Sequence, residues 1–212
     1  MNEYSPKEEL LNIITHAFGF FLSIPALVLL VKNAYQYGDL LYIGSAYIFG
    51  GSLVILYAAS TLYHSAKKQK LREQLNVFDH SAIYVLIAGT YTPFALITLN
   101  GSIGWIIFSV SWGMAFIGII LKLFFTGKYK ILSTIIYVLM GWMILFAIKP
   151  LMNSLPSEGL LWLFAGGVSY TIGAILYSVK KIRFNHAIFH VFVLIGSFCH
   201  FYSVFYYVLP NK

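Results

Sequence analysis

Charged side chains are scarce in this sequence: Asp, Glu, Lys and Arg together make up 10% of its 212 residues. Soluble chains carry about 25% charged residues, so this chain has too few to cover a surface in water. In addition, 59% of the residues are hydrophobic and the mean hydropathy is +0.80. This composition excludes a soluble enzyme, a disordered regulator and a disulfide scaffold, and it indicates an integral membrane protein.

Cysteine and acidic residues are rare as well. Cys199 is the only cysteine in the sequence, so no intrachain disulfide can form. Seven acidic residues stand against 14 Lys and Arg, which gives a net charge of +7. In a membrane protein such an excess is first of all a topology signal, and no nucleic-acid partner is needed to explain it.

Seven stretches are long and apolar enough to cross ~30 Å of hydrocarbon as helices. The breaks between them are short and contain charged residues or Gly, Asn and Pro, so they leave no room for a soluble domain. We therefore predict an all-α fold, in which residues 1–212 form a single seven-helix transmembrane bundle. The predicted spans are 12–31, 40–66, 76–99, 103–124, 131–152, 159–179 and 186–208.

The basic residues predict the orientation of this bundle. Placing the N-terminus in the cytoplasm puts eleven Lys and Arg on the inner side and three on the outer side. Because inner loops are enriched in cations, we predict a cytoplasmic N-terminus and an outside C-terminus. The inner cations are Lys7, Lys67, Lys68, Lys70, Arg72, Lys122, Lys128, Lys130, Lys180, Lys181 and Arg183, and the outer ones are Lys32, Lys149 and Lys212.

Four ionisable residues fall at the predicted inner ends of three spans. His64 closes span two, Asp79 opens span three, and His186 and His190 open span seven. The last two are four residues apart, so they share one face of a helix. This pair alone is also typical of histidines that hydrogen-bond across helices or lie at headgroup depth. A carboxylate such as Asp79 is costly inside a span unless it has a partner or a function.

Together these residues predict a metal centre. Three neutral imidazoles leave one position of a tetrahedral zinc ion open for water, as in catalytic zinc sites. Nitrogen ligands favour zinc over copper or iron as the cofactor. A carboxylate that is not a ligand, here Asp79, can orient that water and accept its proton.

Other polar residues lie near the same end or deeper. Ser60, one turn before His64, could orient a ligand or water, or bond back to a helix carbonyl. Glu9, Asn12 and His16 form a stripe on the first helix, which fits a site entrance, a helix cap or a packing contact. The deep His200 is expected to hydrogen-bond between helices.

In combination these motifs resemble the progestin and adipoQ receptor superfamily, and the short chain resembles its bacterial hemolysin III (membrane homeostasis protein) branch. The resemblance covers nearly the whole chain. The matching motifs are Glu9-x2-Asn12-x3-His16, Ser60-x3-His64, Asp79 in Phe-Asp-His-Ser-Ala-Ile, and His186-x3-His190 followed by His200-Phe201-Tyr202.

The resemblance implies a multi-pass protein of the bacterial cell membrane with its N-terminus inside. In the similar adiponectin receptors, histidines matching His64, His186 and His190 bind zinc, and the aspartate matching Asp79 holds the zinc-bound water. Ser60 matches the serine of the second-helix motif. This chain departs from the pattern directly after the aspartate, where it has His80 and the receptors have tyrosine.

Three functions fit these expectations. Related receptors and the more distant alkaline ceramidases are associated with hydrolysis of the ceramide amide, which implies a zinc-dependent hydrolase of a lipid amide or ester that contributes to lipid homeostasis. Membrane lipids, including an acyl-chain substrate or product, would be its partners. The alternatives are a non-enzymatic membrane sensor or regulator with a structural zinc, and membrane lysis. Lysis ranks last because a lytic toxin is expected to have a soluble form.

Overall fold

The structure, a computed structural model, describes residues 4–36, 40–126 and 128–209. Across these residues the chain is helical and contains no strand, as predicted. Within these described ranges, seven helices are long and apolar enough to cross a membrane. They are α1 (Pro6–Tyr35), α2 (Leu40–Ser65), α3 (Gln69–Leu99), α4 (Gly101–Phe125), α5 (Ile131–Ser154), α6 (Ser157–Ser178) and α7 (Asn185–Val208).

The largest differences from the predicted spans are at the starts of α1 and α3. α1 begins at Pro6 rather than residue 12, and α3 begins at Gln69 rather than residue 76. Ser5 caps α1 by accepting a hydrogen bond from the Glu8 amide at 3.3 Å, and proline is well suited to the first turn. Hydropathy marks the apolar stretch of a helix, whereas caps and backbone hydrogen bonds set its ends. Both helices therefore extend into polar sequence.

α3 lies at the centre of the bundle. In its most apolar 18-residue stretch 78% of the residues are buried, against 22% to 44% in the other six helices. α3 packs against α2, α4 and α5, while α1 packs against α2 and α7, and α6 packs against α7. Large apolar side chains such as Phe146, which is 92% exposed, cover the outer surface. An apolar exterior on a bundle of helices suits a lipid environment.

Successive helices run in opposite directions, so the starts of α1, α3 and α7 and the end of α2 lie at one end of the bundle. We call this the histidine end, because it holds His64, His186 and His190. The fold does not show which end faces the cytoplasm, so the orientation stays a prediction from the cations. One of those cations, Lys212, and part of the predicted break at Lys32–Asp39 lie outside the described residues.

α5 is interrupted by a 3-10 segment at Met143–Ala147. The hydroxyl of Tyr91, from α3, points at the carbonyls of Met140 and Gly141 at 3.0 and 2.8 Å, and it accepts a hydrogen bond from the Ile144 amide at 2.9 Å. A side chain inserted into the backbone hydrogen-bond ladder is a recognised cause of such a break. The hydrogen bonds that Tyr91 makes at this interruption also link α5 to the central helix, α3.

Candidate metal centre

Three histidines from two helices meet at the histidine end. Nε2 of His64 on α2 lies 3.2 Å from Nε2 of His186 on α7. His190, one turn along α7, completes a group in which one ligand nitrogen of each ring lies within 4.8 Å of the other two. All three residues are buried. The structure thus brings together the three imidazoles that the sequence analysis selected from distant parts of the chain.

The geometry and the donor set both fit a zinc ion. Tetrahedral zinc with Zn–N bonds of about 2.0–2.1 Å holds neighbouring ligand nitrogens about 3.3 Å apart. The 3.2 Å between the His64 and His186 nitrogens is close to that value. Three neutral imidazoles are borderline-soft nitrogen donors, which suits zinc. The residues present could hold such an ion, and the identity of the metal stays a prediction.

Glu9, at the start of α1, holds the ring of His64. Its Oε2 lies 2.7 Å from His64 Nδ1, and its other oxygen accepts a hydrogen bond from the Arg72 guanidinium. Arg72 also donates to the Tyr63 carbonyl at 3.3 Å and lies over the Tyr63 ring. When Nδ1–H donates to the carboxylate, the lone pair of His64 is on Nε2, which faces the other histidines.

The two α7 histidines are held in the same way. His186 Nδ1 lies 3.0 Å from the Tyr4 hydroxyl. His190 Nδ1 lies 3.3 Å from the Asn12 backbone oxygen and 3.2 Å from Thr15 Oγ1. The Glu9 carboxylate and the Asn12 carbonyl can only accept hydrogen bonds, so they favour a proton on Nδ1 of His64 and His190 and a lone pair on Nε2 of these two rings. The N-terminal segment therefore supplies the outer support of the whole cluster.

His16 lies directly beside the cluster. Its ring stacks on that of His190, with centroids 3.4 Å apart and planes 9° from parallel, and its edge meets Tyr57. Neither of its ring nitrogens has a hydrogen-bond partner among the described residues. His16 is not one of the three residues with converging ligand atoms. Its flat contact with His190 limits rotation of that ring.

A cavity of about 160 Å³ adjoins the histidines. Asp79 and Ser60 line it together with His186 and His190, and the Ser60 side chain lies beside the Asp79 carboxylate. Asp79 is 7% exposed and is not part of the three-residue cluster. A carboxylate is therefore present next to the candidate ligands and not among them. The catalytic roles of Asp79 and Ser60 stay predictions.

The remaining two histidines are engaged elsewhere. His80 Nδ1 lies 2.9 Å from the Asn76 carbonyl oxygen and 3.8 Å from Asp79 Oδ2. His200 Nε2 lies 3.1 Å from the Leu163 carbonyl oxygen on α6. The interhelical hydrogen bond expected for His200 is thus present, and neither residue joins the cluster.

Sequence reasoning missed the residues that support the ligands. Arg72 was counted only as an inner cation, and Tyr4 and Thr15 were not singled out. A signal for Arg72 existed, because it precedes Asp79 by seven residues, or two helical turns, and so shares its helix face. The stripe of Glu9 and Asn12 was recognised, but a cap or a packing contact was also left open for it. In the structure this stripe holds the ligand rings.

A membrane bundle of seven helices with three histidines buried at one end defines the class of this protein. The family model described as "Haemolysin-III related" matches residues 4–201, and the chain belongs to that family. "Hemolysin-3" of Bacillus cereus is 48% identical over 205 residues, which cover 97% of this chain and 94% of the relative. The "Hemolysin-3 homolog" of Bacillus subtilis (strain 168) is 48% identical over 204 residues, which cover 96% of each chain.

A more distant relative extends the likeness to animals. The "Monocyte to macrophage differentiation factor" of Homo sapiens is 31% identical over 217 aligned positions, which cover 97% of this chain and 87% of the relative. The predicted membership of the progestin and adipoQ receptor superfamily, in its hemolysin III branch, is confirmed. The protein is a multi-pass membrane protein with a possible metal site of three histidines.

Proposed function

We propose that this protein is a zinc-dependent intramembrane hydrolase that cleaves an amide or ester bond of a membrane lipid. One observation carries the proposal: three buried imidazoles each bring one ligand nitrogen to within 4.8 Å of the other two, beside a cavity that is also lined by a carboxylate. A zinc ion bound there would supply a Lewis acid for the carbonyl and lower the pKa of water towards ~7.

The residues of the chain divide the remaining tasks. His64, His186 and His190 would hold the ion. The carboxylate of Asp79 accepts the proton of the attacking water, which is the part of a general base. The hydroxyl of Ser60 lies beside that carboxylate and is assigned to orienting the attacking water. Apolar residues in the cavity wall keep bulk water out and receive an acyl chain. They include Leu56, Ile83, Leu86, Ile87 and Val193.

The decisive experiment compares Asp79→Asn with the wild type in purified, zinc-loaded protein. We expect lipid turnover to fall by about 10²–10⁴-fold, the contribution of a positioned general base, while zinc content stays the same. The substrates to assay are ceramides, acyl-amides and phospholipids. Glu73→Gln is the matched control, because Glu73 is an exposed carboxylate on the same helix. A wild type that turns over none of these lipids contradicts the proposal.

A second candidate is a membrane regulator in which zinc has a structural role. The contacts of the cluster support this candidate, because Glu9 on α1 bonds both His64 on α2 and Arg72 on α3. An ion held by His64 and the α7 histidines would therefore link four helices, α1, α2, α3 and α7. In that case Asp79→Asn would leave the phenotype of the cell unchanged, while removal of zinc would lower the thermal unfolding midpoint.

We further propose that the protein acts in the bacterial cell membrane, with its histidine end at the cytoplasmic leaflet, and contributes to lipid homeostasis there. The positive-inside distribution of Lys and Arg supports this orientation. Reporter fusions at each loop test it, and a cytoplasmic signal from the α3–α4 loop at Asn100 would contradict it.

A further inference from the structure

We infer that Lys122 forms an anion-binding site in the cavity wall and selects an amphiphile that carries a carboxylate or phosphate group. Sequence reasoning counted Lys122 with the inner cations, yet the structure buries it, with 5% of its surface exposed, in the wall of the cavity beside the histidines. The inference rests on the proposed function in one respect, because it names the class of ligand for the same cavity.

Few contacts within the described part of the protein offset the positive charge of the Lys122 ammonium group. Nζ donates to Ser133 Oγ at 2.6 Å and lies 5.6 Å from the centre of the Tyr137 ring. None of the ion pairs among the described residues includes Lys122. An ammonium has three N–H donors, and a buried charge without a counter-ion is costly. A lysine whose only role was to attract anionic lipid headgroups would instead extend its amine towards the membrane surface.

The position of Lys122 relates it to Asp79. A Cβ atom on Gly118 of α4 would collide with the ring of Tyr84 on α3, so these two residues lie at one level. Lys122 follows Gly118 by one turn, and His80 precedes Tyr84 by one turn. Because the two helices are antiparallel, Lys122 lies level with the segment containing Asp79. The Tyr137 hydroxyl on α5 donates to the His80 carbonyl at 3.0 Å, so α5 also contacts α3 next to Asp79.

This arrangement places a cation on one wall of an otherwise largely apolar cavity that Asp79, His186 and His190 also line. The complementary ligand is an amphiphile: its chain lies along the apolar wall, and its oxyanion accepts hydrogen bonds from Nζ. Such charge-assisted bonds are the stronger class of hydrogen bond. A carboxylate and a phosphate share this chemistry.

The test measures equilibrium binding of radiolabelled oleate, 1-oleoyl lysophosphatidate and the neutral lipid monoolein to purified, zinc-loaded protein in micelles. We expect the wild type to prefer an anionic probe, and whichever anion binds tighter identifies the group. Lys122→Met should weaken that binding by about tenfold or more and leave monoolein binding unchanged. Lys122→Arg should retain the preference. Lys128→Met, which removes an exposed cation at the same end, should have no effect.

Ser133→Ala separates recognition from packing. It leaves the ammonium in place and removes only its hydroxyl partner, so anion binding should be retained. Equal losses in Ser133→Ala and Lys122→Met would show that Lys122 merely joins α4 to α5, and would overturn the inference. Equal affinity of the wild type for oleate, lysophosphatidate and monoolein would overturn it too, whether or not Lys122→Met folds. Since no turnover is required, this result is independent of the Asp79→Asn assay.

Discussion

The histidine end and the middle of the bundle both bury imidazole groups, but they use them differently. At the histidine end, Nδ1 of each of three rings contacts a residue of the N-terminal segment, and Nε2 of His64 lies 3.2 Å from Nε2 of His186. In the middle, His200 gives Nε2 to the Leu163 carbonyl. There, Ser197 Oγ accepts a hydrogen bond from Tyr57 and lies 2.8 Å from the Tyr170 hydroxyl.

The difference shows what distinguishes a candidate metal ligand from a structural histidine. His200 bonds a backbone carbonyl through Nε2, its Nδ1 has no hydrogen-bond partner among the described residues, and it does not belong to the group of three histidines with converging nitrogens. At the histidine end, by contrast, three rings each bring one ligand nitrogen to within 4.8 Å of the other two, and this group forms a donor set that could hold a metal ion. Burial alone does not separate the two regions, because His190 and His200 are both buried.

The largest effect should come from a matched pair of substitutions, His186→Gln and His200→Gln. Loss of one of three ligands should remove most of the bound zinc, because two protein ligands are fewer than zinc sites use. His200→Gln should leave the zinc content unchanged. Metal analysis of the two purified variants measures this directly. Equal zinc in both would show that the cluster at the histidine end is not the metal site.

A smaller effect is expected from Glu9→Gln. The change keeps the shape of the side chain and removes the charge that holds His64 Nδ1–H, so zinc affinity should fall by about 10–100-fold, as for other partners of metal-binding histidines. Glu73→Gln serves as the control, because it removes an exposed carboxylate near the same end of the bundle. Competition with a zinc chelator measures both affinities. A Glu9→Gln protein with wild-type affinity would assign Glu9 to packing alone.

The smallest effect should come from Arg72→Met. Arg72 reaches the cluster only through Glu9, so its loss should weaken zinc binding less than Glu9→Gln does. Combining the two changes should add little to Glu9→Gln alone, since both act on one chain of contacts. The same chelator competition measures the double variant. Fully additive losses would mean that Arg72 and Glu9 support the site independently.

Much of the fold and of the candidate site could be predicted from local patterns. A run of about 20 apolar residues needs a helix to cross hydrocarbon wherever it occurs, so counting such runs yielded the seven spans. The same count placed His64, Asp79 and His186 at one end, because successive spans alternate in direction. The early starts of α1 and α3 could not be found this way, since hydropathy does not detect a polar extension of a helix.

The sequence by itself determined the membrane class, the seven helices and the depth of each ionisable residue, because length, hydropathy and spacing along a helix are properties of the local chain. Only the tertiary structure decided which way each side chain turns. It placed the Glu9 carboxylate beside His64 Nδ1 and gave His200 the Leu163 carbonyl as its hydrogen-bond partner. It also placed Lys122 in the cavity wall instead of at the membrane surface. These outcomes depend on how each helix is rotated about its axis and how closely its neighbours approach, and packing among all seven helices sets both.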